Sequence, residues 1–425
     1  MKQNLLLLLV SILALGSCKK NENVKPIIED PLYAKIPDVN FEKALISLKI
    51  DDVQDGKLLR SSAEKVTELY VDGYGKSDNE KNKNLQGIEA FKNLIKLDCS
   101  YNQLTSLDVS KNVKLTKLWC YKNQLTSLDI SKNVNLTELD CDNNQLTNLD
   151  VSKNVNLAFL YCSHNQLKSL DVSKNVNLTE LDCDNNQLTN FDVSKNVKLT
   201  VLHCDNNQIT SLDASKNVNL ESLVCYNTHL TSLDVSKNVN LAFLYCSKNQ
   251  LTSLDVSKNV NLTFLWCFSN QFTNLDVSKN VKLAVLFCDN NQLTSLDISK
   301  NVNLIDLSCY NTQLTSLDVS KNVNLYSLSC YDTQLTSLDI SKNVNLESLS
   351  CSDNQLTSLD ISKNVSLNVL YCSNNKLTSL DVSKNTKLTW FGCLNNPLQT
   401  ICVSSLTQPT TNWQKDAIAS YKVCN

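Results

Sequence analysis

The eighteen cysteines of this 425-residue chain are its residues with the widest chemical reach. A thiol can form a disulfide, ligate zinc or, as a thiolate, attack an electrophile. Spacing decides among these. Fifteen cysteines, from Cys99 through Cys120 and Cys141 to Cys393, stand 21 residues apart without a break. No Cys-x-x-Cys pair occurs, and the three histidines, His164, His203 and His229, do not complete a zinc-ligand pattern. A fixed period stacks the cysteines in one column, with neighbouring Cβ atoms ~4.8 Å apart, beyond the ~3.8 Å that a disulfide prefers. Fifteen is also odd, so complete pairing is impossible. The column reads as a ladder of reduced, buried thiols whose role is packing.

Other chemistry is scarce. Glycine occurs only 6 times and Arg60 is the sole arginine, which nearly excludes glycine-rich phosphate loops and arginine phosphate clamps. A formal charge of −3 gives no reason to expect nucleic acid. No nucleophile–base pair, metal cluster or cofactor loop stands out, so the reading is a protein that is not an enzyme and needs no cofactor. A composition of 42% hydrophobic and 20% charged residues is that of a folded domain.

The elements that position the thiols follow from the period. The unit runs Leu-x-x-Leu-x-Cys-x-x-Asn-x-Leu-Thr-Ser-Leu-Asp-Val-Ser-Lys-Asn-Val-x, as in Leu136 to Asn156. In Leu-x-Cys the side chains alternate: Leu139 and Cys141 point one way, Asp140 and Asp142 the other. This is a short strand with one buried face. Each turn returns in the same sense, so the strands stack in parallel, and fifteen of them at ~4.8 Å make a sheet roughly 70 Å long. Leu146, Leu149, Val151, Val155 and Leu157 are read as further inward residues, which only neighbouring turns can cover. The return side has no room for a full helix, and Ser-Lys-Asn suggests a turn or 3₁₀ piece. Asn102, Asn123, Asn144 and their successors are expected to turn inward and bond backbone groups that leave the sheet. Thr228, Thr312 and Thr333 replace them in three turns, where local softening is predicted.

The first eleven positions of the unit match the leucine-rich repeat pattern, with Cys in place of its third Leu. Repeats of 21 residues with a cysteine there resemble the internalin J type of bacterial surface protein, over about Leu94 to Asn396. The fold class expected is a leucine-rich repeat solenoid, a horseshoe or right-handed superhelix. It would have one long parallel β-sheet, little helix on the return side and a helical N-terminal cap.

The ends carry different signals. Lys2, the apolar run Leu5 to Leu15 and the small residues after it read as a signal peptide over 1–17. Leu15-Gly16-Ser17-Cys18 resembles a bacterial lipobox, which implies lipidation of Cys18 and a tether over 18–35. By resemblance to Bacteroidota-type lipoproteins, the protein is expected to be exported and lipid-anchored to the bacterial outer membrane at the cell surface. Phe41, Ala44, Leu45 and Leu48 fall at helical spacing in an N-terminal cap over 36–65. The solenoid occupies 66–396, as one irregular turn followed by 15 regular repeats, and a C-terminal cap occupies 397–425. Cys402 and Cys424 lie off the period, and in an exported protein they are expected to form a disulfide, with Trp413 packed beneath.

Comparison of the copies with one another separates a uniform return side from a variable strand face. Outward strand positions are acidic in the early turns, at Glu138, Asp140, Asp142, Glu180, Asp182, Asp184 and Asp205. They become aromatic at Trp119, Tyr121, Phe159, Tyr161, Phe243, Tyr245, Phe264, Trp266, Phe268 and Phe287, which are the candidate ligand-binding residues. Contiguous exposed aromatics mark interaction sites. The resemblance to internalin J implies adhesion, with a protein or glycoprotein partner of host or environmental origin; the residues themselves give no metal-ligand pattern. A carbohydrate ligand is the alternative, since aromatics beside Asp and Asn also suit sugars. Ca²⁺ in the acidic turns lacks a supporting loop geometry, and the regular Thr-Ser rows at Thr105 and Ser106 raise ice or mineral binding.

Overall fold

The structure, a computed structural model, describes residues 30–424. The expected signal peptide, Cys18 and most of the tether lie outside the described residues. Among those described, no helix is long and apolar enough to cross a membrane.

Leucine in the middle of a three-residue segment sets the architecture. In Glu138–Asp140, Phe159–Tyr161 and their counterparts, the central Leu is buried and its two neighbours face outward. Each strand pairs in parallel with the next, Leu on Leu, as in Leu223↔Leu244 and Leu244↔Leu265. The series begins at Glu68–Tyr70 and ends at Trp413–Gln414, giving one open sheet of seventeen strands. Nothing shifts the register through the regular repeats, because each has the same length and a slip of one residue would bring its Leu and Cys out of the core.

The polypeptide leaves the strand through a residue of positive φ in every turn, from Tyr101 (φ 55°) through Asn143 (φ 53°) to Asn395 (φ 55°). Asn and Asp fill most of these positions because they tolerate the left-handed region better than other residues with a Cβ. The next residue is the inward Asn. Asn144 donates from Nδ2 to the carbonyls of Cys120 (3.1 Å), Cys141 (3.1 Å) and Asp142 (3.2 Å), while its Oδ1 accepts from the Leu125 amide (3.0 Å). One side chain thereby ties two consecutive turns together. Where threonine takes its place, the bridge shortens: Thr312 reaches only the Cys309 carbonyl, at 2.8 Å.

A second buried asparagine ladder runs along the return side, where the sequence suggested only a polar turn. Asn112, Asn133, Asn154 and their successors to Asn385 are fully buried. Asn154 donates from Nδ2 to the carbonyls of Ile130 (3.1 Å) and Asn133 (2.9 Å) in the preceding turn. Its Oδ1 has no hydrogen-bond partner, and the same holds at each rung. The return itself is two successive tight turns, closed by the Asn154 amide on Val151 O (3.0 Å) and the Leu157 amide on Asn154 O (3.1 Å). Asp150 accepts from the Ser152 amide (2.8 Å), so the aspartate row fixes these turns as asparagine-like caps do. No helix forms there. Among the described residues the one 3₁₀ segment, Ile88–Ala90, belongs to the irregular first turn.

Two inward assignments are corrected. Val155 is 45% exposed, and its counterparts from Val113 to Val365 lie between 44% and 51%. The buried amide of Asn154 and the side chain of Leu157 fill the interior on either side, and the intervening residue is turned out. Leu48, placed on the buried helical face, is the helix C-cap and 45% exposed.

The N-terminal end is a mixed cap rather than a helical one. Helix Val39–Ser47 covers the core with Phe41 and Leu45. Beside it, Tyr33–Lys35 and Lys57–Leu59 form an antiparallel pair, followed by the short helix Arg60–Ala63. Asp38 caps the longer helix through Oδ1 and also accepts from the amides of Lys83 (2.7 Å) and Asn84 (2.8 Å), which pins the irregular turn to the cap. At the other end, strand Thr400–Val403 lies between Leu380–Asp381 and Ser420–Val423. Cys402 and Cys424 are bonded. Trp413 closes the core by packing edge-on against Phe391, with centroids 4.9 Å apart.

Candidate functional site

Three kinds of repeated side chain could carry function: the thiols, the return-side rows and the outward strand positions. The fifteen thiols of the column are free and buried. Burial pushes their ionisation upward, to about 12 even at Cys246 and Cys393. A thiol that neither ionises near neutrality nor meets solvent is not a nucleophile or a metal ligand. Several donate weakly to the next turn instead, as Cys141 does to Tyr161 O at 3.5 Å. Among the described residues no group of His, Cys, Asp or Glu converges as a metal site would require.

The strand face is where turns differ. Its central part is a stack of rings. Phe243 and Phe264 lie parallel with centroids 5.0 Å apart. In the adjacent column, Tyr245 stacks on Trp266 at 4.4 Å and Trp266 on Phe287 at 5.4 Å, with planes within 16° of parallel. The geometry follows from the sheet: side chains at equivalent positions of parallel strands emerge in the same direction ~4.8 Å apart, close to ring-stacking distance. Trp266 is sandwiched, so its faces are taken, it is only part-exposed, and its Nε1 is shielded without a partner. Phe268 follows on the same strand face, half-buried.

The other four candidates stand apart from this stack. Trp119 donates from Nε1 to Glu138 (2.7 Å), with Lys117 over its ring and also on Glu138 (2.6 Å). Tyr121 belongs to an N-terminal group of edge-on tyrosines with Tyr101 and Tyr74. Tyr161 donates its hydroxyl to Glu180 (2.7 Å), and its strand, with Phe159, lies between the acidic strands Glu138–Asp140 and Glu180–Asp182. A further stack, Tyr310 on Tyr331 at 4.2 Å, was not among the candidates. It sits two residues past the last residue of each strand, in a column where the sequence shows the tyrosines but not that their rings meet.

The acidic turns are electrostatically strained. Burial, followed by neighbouring carboxylates, raises Asp140 to about 6. The same causes raise Asp142 and Asp205 to about 7. Asp184 is raised for the same reasons. The ion-pair partners found for these aspartates are imidazoles: His164 lies 3.7 Å from Asp184 and His203 3.6 Å from Asp182. The hydrogen bond to Asp182 holds His203 above its ordinary value.

The chain matches the family model described as "Leucine Rich repeats (2 copies)" over residues 92–133, 113–154, 155–196, 197–238 and 344–389. Among curated protein sequences none matches. Solved structures do. The functional domain of InlJ from Listeria monocytogenes, described as including a cysteine ladder, is 36% identical with a TM-score of 0.80, over 87% of this chain and 82% of that one. A leucine-rich repeat protein of Leptospira interrogans is 26% identical (TM-score 0.72; 84% and 97% covered). The ectodomain of the Arabidopsis thaliana receptor kinase GASSHO1/SCHENGEN3, solved with Casparian strip integrity factor 2, shares the fold (20% identity, TM-score 0.64; 75% and 46% covered). Period, thiol column and structural likeness agree: the chain belongs to the internalin-type leucine-rich repeat proteins that carry a cysteine ladder.

Proposed function

We propose that this is a non-enzymatic, surface-anchored lipoprotein that captures a protein ligand on its strand face, in the manner of an adhesin. The observation that carries the reading is the ring stack of Phe243, Tyr245, Phe264, Trp266 and Phe287. It spans adjacent strands on a face that, among the described residues, nothing covers. Phe243 is 37% exposed. In solenoids of this kind the strand face is the extended concave binding surface. Lipidation of Cys18 would keep the molecule at the membrane while the solenoid projects from it.

Ring geometry favours a protein over the carbohydrate alternative. A sugar stacks on an exposed aromatic face, but Tyr245, Trp266 and Phe287 occupy one another's faces and present their edges. An edge-lined apolar surface suits side chains from a polypeptide, where buried aromatic anchors contribute ~2 kcal/mol or more. The test is a pull-down from host-cell extracts and a glycan array with the full chain and the Phe264→Ala, Trp266→Ala double variant. Protein capture that the double variant loses supports the reading. Binding to glycans alone, or protein capture that the double variant retains in full, contradicts it.

A further inference from the structure

The acidic and aromatic zones of the strand face are neighbours, and each has a property the other lacks. The five aspartates Asp140, Asp142, Asp182, Asp184 and Asp205 project from three turns that lie on the N-terminal side of the ring stack. Counting strands, the Asp205 turn lies ~14 Å and the Asp140 turn ~29 Å from Trp266. An extended polypeptide covers those distances in roughly four to nine residues. Asp140, Asp142, Asp182 and Asp184 are half-buried, and Asp205 is buried, at 4% exposed. Apart from two imidazoles, their surroundings add further negative charge: Asp98 and Glu138 face Asp140, and Glu180 lies beside Asp182. Lys117 is committed to Glu138. Such a cluster costs stability when empty and is relieved by cations supplied from outside.

We propose that the ligand is a polypeptide segment with two parts: a block of lysines or arginines that lies over the acidic turns, and large apolar side chains, four to nine residues away, that lie on the ring stack. The inference rests on the strand face being the protein-binding surface and names the chemistry of what it holds. Arginine and lysine satisfy clustered carboxylates by charge-assisted hydrogen bonds, and the opposite potential also guides encounter. An anionic segment is rejected by the same five charges. Because the aspartates hold their protons to higher pH when the face is empty, binding a cation near neutrality expels protons from Asp142 and Asp205. Affinity therefore falls as the solution is acidified through that range, while protonated His203 adds a repulsion of the same sign.

The test uses the full chain and three synthetic sixteen-residue peptides: one with four lysines and a Trp-Leu-Phe anchor spaced as above, one with the lysines replaced by glutamates, and one with lysines and no apolar anchor. Calorimetric titration in buffers of different ionisation heat reads affinity and proton release together. The lysine–aromatic peptide is expected to bind at least roughly tenfold more tightly than either other. It should release protons between pH 6 and 7.5 and lose its advantage in the Asp140→Asn, Asp142→Asn, Asp205→Asn variant. Removing mutual repulsion should not lower that variant's melting temperature, which keeps the comparison interpretable. Equal affinity for the lysine and glutamate peptides, retention of the preference in the aspartate variant, or no binding of any peptide overturns the proposal. In the first two cases, loss of binding in the Phe264→Ala, Trp266→Ala variant leaves the strand face standing as a protein-binding surface. If that double variant binds the lysine–aromatic peptide unchanged, both fall.

Discussion

Two asparagines in one turn, both buried, should differ in what they cost to remove. Asn144 and Asn154 each lie in the repeat that begins at Leu136. Changing Asn154 to Ala removes two hydrogen bonds, to the Ile130 and Asn133 carbonyls. Both carbonyls keep another donor: Ile130 O accepts from the Asn133 amide and Asn133 O from the Leu136 amide. The substitution also removes an Oδ1 that was buried without a partner. Two bonds at roughly 1 kcal/mol each, partly offset by that relief, give a loss of about 1–2 kcal/mol. Changing Asn144 to Ala removes three donated bonds and, in addition, the acceptor of the Leu125 amide. An orphaned buried amide costs about 1–3 kcal/mol on its own, so the total is about 3–5 kcal/mol. A solenoid can open locally, so the assay is hydrogen exchange of amides in the two turns rather than a single global melt. Exchange at Leu125 and Leu146 should accelerate far more in Asn144→Ala than in Asn154→Ala. Equal acceleration, or the reverse order, would refute the assignment of the strand-side asparagine as the stronger clamp between turns.

Three further outcomes follow from the same structure. Thr312→Asn restores a carboxamide where the Leu293 amide lacks one, and should stabilise its turn by about 1–2 kcal/mol; slower exchange at Leu293 is the expected reading. The fifteen column thiols should resist alkylation at neutral pH until the protein is unfolded, as mass spectrometry can count; rapid stoichiometric labelling of the native protein would contradict their burial. Stability should fall as pH rises from about 4 to about 8, because the folded state holds protons on Asp140, Asp142 and Asp205 that the unfolded chain, with aspartates near 3.9, has already released. The raised His203 acts in the same sense. Below about 4 the trend should reverse, since the return-side aspartates, such as Asp150, are held low by the Ser152 amide and lose that bond on protonation. A melting temperature that rises steadily from pH 5 to pH 8 would count against the acidic cluster.

The period made most of the solenoid legible, because a strand of three residues with Leu at its centre and Cys two positions on admits one orientation. The errors have local causes. Val155 was placed inside on its apolar character alone, whereas the buried amide of Asn154 displaces it. That asparagine looked like a turn residue, and nothing in Ser-Lys-Asn distinguishes a surface turn from one whose last side chain points into the core. The left-handed residue before each inward asparagine has a readable signal, the Asn and Asp enrichment at Asn143, Asn185 and Asn206. In the candidate site, the aromatic and acidic columns could be read from spacing. That Trp266 would be sandwiched, while Trp119 turns to Glu138, could not: those orientations depend on the residue one turn away and its rotamer.

In the proposed function a polypeptide ligand lies on the strand face over the ring stack. Site-specific photocrosslinking tests it most directly, with a photoreactive residue in place of Phe268 on the strand face or Lys258 on the return side and the lysine–aromatic peptide as ligand. Crosslinking from position 268, suppressed by excess unlabelled peptide, with none from position 258, is the result expected. Crosslinking from position 258 alone, or equally from both, would contradict it.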